Sequence, residues 1–116
     1  MRDYKKLEVW KRSHDLTLAI YRATRAYPTT ETFGLASQTR RSAAAVPANI
    51  AEGSGRASGA DYARFVSYAA ASCNETEYHL LLARDLGYIG VDEWTSIAAE
   101  VGEIRSMLVA LSRRLV

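Results

Sequence analysis

Apolar residues recur every three or four positions from about residue 4 to residue 27. Leu7, Trp10, His14, Leu18 and Tyr21 form one stripe there, and Val9, Leu16, Ile20 and Ala23 widen it. That breadth predicts a helix packed against more than one neighbour rather than a two-stranded coiled coil. Pro28 ends the segment, because the residue before a proline avoids helical geometry. Thr29 or Thr30 is the expected cap of a second helix over about 31–53, where the charge of Glu31 favours the N-terminus. Phe33, Leu35, Ala36, Thr39, Ala43, Val46 and Ile50 mark its apolar side. Pro47 lies within it, and because the apolar spacing continues to Ile50, a kink is expected there rather than a break.

The run from Gly53 to Gly59 reads as a loop. Ser58 followed by Asp61 resembles a capping box with aspartate in place of glutamate, and it opens a third helix over about 59–86, closed by Gly87. Tyr62, Phe65, Val66, Ala69, Cys73, Thr76, Leu80, Ala83 and Leu86 are its apolar positions. Asp92 is the expected cap of a fourth helix over about 93–115. Its stripe of Trp94, Ile97, Val101, Ile104, Leu108, Leu111 and Leu115 is the strongest periodic signal in the chain. Four long helices with short connections predict an all-α, up-and-down antiparallel four-helix bundle, a single domain over residues 1–116.

Composition agrees with that reading and removes several function classes. In 116 residues, 48% are apolar and 24% charged, proportions ordinary for a folded domain, and only two prolines interrupt the chain. No apolar run approaches the roughly 20 residues needed to span a bilayer, and the charged stretch Met1 to Lys6 is unlike a signal peptide. A cytoplasmic protein with no membrane partner is expected. Net charge is +2, yet from Met1 to Tyr27 seven basic side chains face three carboxylates, a surplus of four. Such asymmetry marks either a solvated face or an anionic partner.

Candidate chemistry is sparse. Gly53-Ser54-Gly55-Arg56 follows a helix and lacks the Gly-Lys-Ser/Thr ending of a phosphate-binding loop, so it reads as an interhelical turn. His79 lies one turn after Glu75, but a bundle di-metal site needs carboxylates from several helices and a repeated Glu-x-x-His motif. The lone Cys73 reads as a small buried hydrophobe. No serine or cysteine is paired with a recognisable base, so no catalytic residue, metal or cofactor is expected and the chain reads as a non-enzyme. Gln38, Arg41, Asn49, Glu52, Ser72 and Glu75 stand out as polar residues in apolar segments. Because a charge inside a helix interface is costly unless paired, Arg41 is expected to meet Glu75 or Glu52 in a structural network between the second and third helices. The alternative for the same residues is a ligand pocket.

The stretch Phe33-Gly34-Leu35-Ala36-Ser37-Gln38-Thr39-Arg40-Arg41, then Val46-Pro47-Ala48-Asn49-Ile50-Ala51-Glu52-Gly53 and Gly55-Arg56, resembles the central signature of the 23S ribosomal RNA intervening-sequence proteins. The likeness continues through Asp61-Tyr62-Ala63-Arg64-Phe65, Ser72 with Glu75 and Leu86-Gly87-Tyr88-Ile89, and takes in Leu7-Glu8-Val9-Trp10. The resemblance implies a four-helix bundle assembling into a cyclic homopentamer, in a family named for where its reading frames lie, not for an activity. It also implies kinship with accessory proteins of diversity-generating retroelements, pentameric bundles whose basic surfaces bind nucleic acid and a reverse transcriptase.

By that analogy the first expectation is a homo-oligomer that binds RNA or DNA electrostatically through Lys5, Lys6, Lys11, Arg12, Arg22, Arg25, Arg40, Arg56 and Arg64. No aromatic-basic RNA-recognition motif accompanies them in the sequence. The second is a protein–protein adaptor or scaffold, with Tyr4, Tyr27 and Tyr88 as contact points.

Overall fold

The structure, a computed structural model, describes residues 3–116; Met1 and Arg2, the latter counted in the basic surplus of the first segment, lie outside the described residues. A short 3-10 turn, Tyr4–Lys6, precedes four α-helices: α1 Glu8–Thr24, α2 Leu35–Ser54, α3 Gly59–Asp85 and α4 Val91–Leu115. Among the described residues there is no strand. Consecutive helices pack side by side, and α1 also meets α4, so the order round the bundle is α1-α2-α3-α4 with the α1–α4 seam the least extensive. The molecule measures 43 × 23 × 20 Å, its long axis set by helices of up to 27 residues.

Helix ends differ from the sequence expectation for identifiable reasons. The expected start near residue 4 is moved to Glu8 because Leu7 is extended (φ −76°, ψ 129°), which folds the Tyr4–Lys6 turn back as a separate piece. Neither Thr29 nor Thr30 caps α2; the Glu31 carboxylate instead accepts from the Leu35 backbone N–H at 3.0 Å and takes the Tyr88 hydroxyl at 2.9 Å. Ser58 does cap α3, accepting from Asp61 N–H at 3.0 Å. At its other end Gly87, at φ +80°, allows Tyr88 N–H to reach Ala83 O and Gly87 N–H to reach Arg84 O, satisfying carbonyls the helix would leave open. The α4 N-cap is Gly90, not Asp92, so α4 begins at Val91 without a side-chain cap. α2 runs unbroken through Pro47.

Ile20, Ile50, Leu80, Ile104 and Leu108 are fully buried, each contributing roughly 1.5–3 kcal/mol through loss of apolar surface from water. Gly53 lets α2 and α3 approach closely at the turn: a Cβ there would lie 2.8 Å from Phe65 Cβ and 2.9 Å from Tyr62 Cδ1. The inward face of α1 lies along the Val9, Leu16, Ile20 and Ala23 side of the expected stripe. Val9, Ser13, Leu16, Thr17, Ile20, Ala23 and Thr24 are buried, whereas His14, Leu18 and Tyr21 are exposed. Hydroxyls make this possible, since Thr17 and Thr24 donate to the carbonyls of Ser13 and Ile20 one turn earlier, at 2.8 and 2.7 Å, and enter the interface with their polarity satisfied.

Candidate functional site

The nine basic residues singled out from the sequence fall into two groups. Arg12, Arg40, Arg56 and Arg64 are held by the protein itself. Arg12 spans the α1–α4 seam, donating from Nε to Glu100 at 3.0 Å and from Nη2 to Glu103 at 2.8 Å. The same guanidinium holds the Glu100 carboxyl below its ordinary range. Arg40 reaches from α2 to the end of α1, where it donates to Thr24 Oγ1 at 2.7 Å and to the Tyr21 carbonyl at 3.3 Å while lying over the Tyr21 ring. Arg56 pairs with Glu52 at 2.8 Å and Asp61 at 3.7 Å, and Arg64 pairs with Asp61 at 2.6 Å. The two guanidiniums flank the Phe65 ring, and two carboxylates balance their charge.

Lys5, Lys6, Lys11, Arg22 and Arg25 are different. All five are exposed, and among the described residues none is in an ion pair. Helical spacing places Lys11, Leu18, Arg22 and Arg25 on one solvent-facing side of α1, about 21 Å from the first to the last. Arg113 and Arg114 are also exposed, and among the described residues neither is in an ion pair. Arg114 lines a hollow with Leu7 and Glu8, so it stands at the same end of the bundle as Lys5 and Lys6. No sequence signal separates these two arginines from a purely local role, because cations in the last turn of a helix are favoured by its dipole.

The expected polar network between α2 and α3 forms in part and with other members. Arg41 lies 3.6 Å from Glu75 and also donates to Gln38, but the pair is exposed rather than buried. Asn49 donates to Ala45 O in its own helix at 2.8 Å, Glu52 turns to Arg56, and Ser72 offers its backbone carbonyl to Thr76 at 2.8 Å. The buried connection runs through Ser42, which the sequence does not single out, together with Thr76 and His79, which it marks only as an apolar position and as a neighbour of Glu75. Thr76 Oγ1 donates to Ser42 Oγ at 2.8 Å, Ser42 Oγ lies 3.2 Å from His79 Nδ1, and His79 Nε2 lies 3.6 Å from Glu75. Burial holds the His79 pKa below its ordinary value, against the pull of Glu75 and with that of Arg41. The order serine, histidine, carboxylate is that of a hydrolytic triad, yet Ser42 is 2% exposed and already shared with Thr76, so no substrate reaches its oxygen. Small hydroxyl residues inside helical stripes were the available signal for this cluster, and they are equally common as packing residues.

The remaining candidates are inert or empty of converging groups. Burial pushes the Cys73 thiol up to about 11, leaving little thiolate at neutral pH. Among the described residues, no three histidine, cysteine or acidic side chains are placed to hold a metal ion. Backbone N–H groups of Gly55 and Arg56 are spent on Glu52 O and Gly53 O, so the glycine turn has no amide cradle for phosphate. A groove of about 340 Å³ between α1 and α4 is lined by Leu16, Ala19, Ile97 and Asp15, with Glu100 and Glu103 at its edge. No helix of the described residues is long and apolar enough to cross a membrane. Of the tyrosines weighed as contact points, Tyr27 is buried and Tyr4 and Tyr88 are half-buried.

Residues 5–110 match the family model for the 23S rRNA-intervening sequence protein. Among solved structures, the chain is similar to a crystal structure of a protein of unknown function from the S23 ribosomal protein family of Bacteroides thetaiotaomicron. The two are 28% identical, with 88% of this chain and 95% of that chain covered and a TM-score of 0.79. No curated protein matches the chain.

Proposed function

Because the chain belongs to the 23S rRNA-intervening sequence protein family, we propose that it is a non-enzymatic, cytoplasmic, oligomeric bundle protein that binds RNA or DNA electrostatically. The observation carrying this reading is the set of exposed cations near the start of the chain and along the solvent side of α1 that, among the described residues, join no ion pair: Lys5, Lys6, Lys11, Arg22 and Arg25. Long side chains left without carboxylate partners on one face are what a phosphate backbone neutralises, releasing its counterions. Arg12, Arg40, Arg56 and Arg64 serve first as clamps within the bundle, which narrows the interface to the first five, with Arg114 at the same end of the bundle as Lys5 and Lys6.

A monomer charge of +2 is small for such a role. A homo-oligomer, taken as a pentamer from the family resemblance, repeats the patch and lets weak contacts add intramolecularly. Retention of labelled RNA across a salt series is the test. The expected result is binding at low salt that falls steeply as salt rises; no retention even at low salt sinks the reading.

One observation favours the adaptor reading instead. Phe33 is 96% exposed, and Leu86 and Val91, from the connection at the same end of the bundle, are exposed as well. A protein partner that co-purifies through nuclease treatment and is lost on Phe33→Asp would support that role.

A further inference from the structure

The described residues assemble an aromatic ladder that no contiguous motif announces. Because Leu7 is extended, the Tyr4–Lys6 turn folds back and brings the Tyr4 ring edge-on to Trp10, with centroids 5.1 Å apart. One helical turn further on, the His14 ring lies parallel to Trp10, its plane within 5° and its centroid 5.2 Å away. Tyr21 continues on the same side of α1 by helical spacing, about 16 Å beyond Trp10, with Arg40 over its ring at 4.8 Å.

Trp10 and Tyr4 have a structural explanation, since both pack against the core. His14 does not: it is exposed and outside the core cluster, as is Tyr21, whose ring carries the Arg40 guanidinium. Among the described residues His14 makes no hydrogen bond, and stacking on Trp10 is what orients its imidazole. Around the ladder stand Lys5, Lys6 and Lys11, the cations left unpaired, with Lys5 Nζ 5.9 Å from the Tyr4 centroid. The carboxylates of the same segment point elsewhere. Glu8 and Asp15 line hollows toward α4, on the other side of the helix, and Asp3 accepts from Lys5 N–H.

We propose that the side of α1 bearing Trp10, His14 and Tyr21 is a stacking platform for unpaired bases, so that the ligand class is single-stranded nucleic acid rather than duplex. Bases in a duplex are stacked on one another and show a protein only their edges and phosphates, whereas a single strand offers π-faces that stack on aromatic rings without regard to sequence. The lysines meet the phosphates, and the His14 ring, already parallel to Trp10, extends the stack by one base. This inference rests on the nucleic-acid reading above and narrows it.

The test uses the full chain carrying Trp94→Phe, which leaves Trp10 as the one tryptophan, titrated at low salt with a short oligouridylate and with an RNA duplex of equal length. The single strand is expected to quench Trp10 emission and the duplex to leave it unchanged. His14→Ala, at an exposed site where helicity checked by circular dichroism should hold, is expected to weaken oligouridylate binding about five- to tenfold and leave duplex binding as it was. His14→Phe restores stacking, and Lys11→Ala weakens both ligands alike. Equal binding of the two nucleic acids, or indifference to His14→Ala, overturns the stacking role while the electrostatic reading stands; binding of neither overturns both.

Discussion

His79 shows how much a single residue's surroundings decide. It is packed between α2 and α3 with Ser42 at one ring nitrogen, Glu75 at the other, and Arg41 and Tyr78 beside it. Ser42 Oγ, which donates to the Thr39 carbonyl at 3.2 Å and accepts from Thr76 Oγ1, lies 3.2 Å from Nδ1. Burial lowers the folded-state pKa below 6.5, so between that lowered value and 6.5 the unfolded chain binds more protons than the folded one. Stability therefore rises with pH across this window and falls on acidification through it. Replacing the ring by His79→Gln is expected to reduce the loss of thermal stability between about pH 7 and about pH 5, as measured by melting temperature. An unchanged loss would show that other groups control it. The residue pattern does not mark Ser42, Thr76 and His79 as partners: Thr76 reads as an apolar position and His79 as a neighbour of Glu75, and their meeting with Ser42 depends on how two helices are rotated against each other.

At the scale of elements, α1 is where sequence and structure part most. Its periodicity identifies a helix, and of the apolar positions read from it Val9, Leu16, Ile20 and Ala23 are buried and Leu7 and Trp10 pack half-buried against the core, whereas His14, Leu18 and Tyr21 face outward. Ser13, Thr17 and Thr24 count as polar in any hydrophobicity pattern, yet back-bonding to their own helix makes them suitable for a close interface. Apart from Phe33 and Leu86, which lie beyond the ends of α2 and α3 and are exposed, the apolar positions of α2, α3 and α4 match the structure more closely, because alanine, valine, isoleucine and leucine dominate their inward faces. The orientation of α1 turns Arg12 toward α4, where it ties the least extensive seam of the bundle to Glu100 and Glu103. Arg12→Ala is expected to cost about 1 kcal/mol in urea unfolding, with a smaller difference at high salt, and to leave retention on RNA nearly unchanged. A loss of retention without a loss of stability would return Arg12 to the binding face.

For the whole molecule, the question is what the outer surface meets. The apolar residues of α3 are not confined to one stripe: Tyr68, Tyr78 and Leu81 are exposed on a helix whose inward face is already complete. A helix apolar round much of its circumference suits burial on more than one side, which supports the proposed oligomer. Light scattering at micromolar concentration is expected to give five times the 12.8 kDa of the chain; a monomer would remove the multivalent part of the binding proposal and leave a single weak patch.

The sequence by itself determined the helical class, the number of long segments, the capping role of Ser58 and the turn at Gly87. These follow from local rules: periodicity, side-chain entropy, and the few residues able to end a helix. The family likeness was legible too, in the blocks around Val46–Gly53. Only the tertiary structure decided which basic residues are free. A guanidinium at Arg12 and an ammonium at Lys11 are adjacent in sequence, but they lie 100° apart round the helix, and one meets two carboxylates while the other meets water. Packing the fourth helix against the first made that division, through contacts between residues nearly ninety positions apart, which no local pattern encodes.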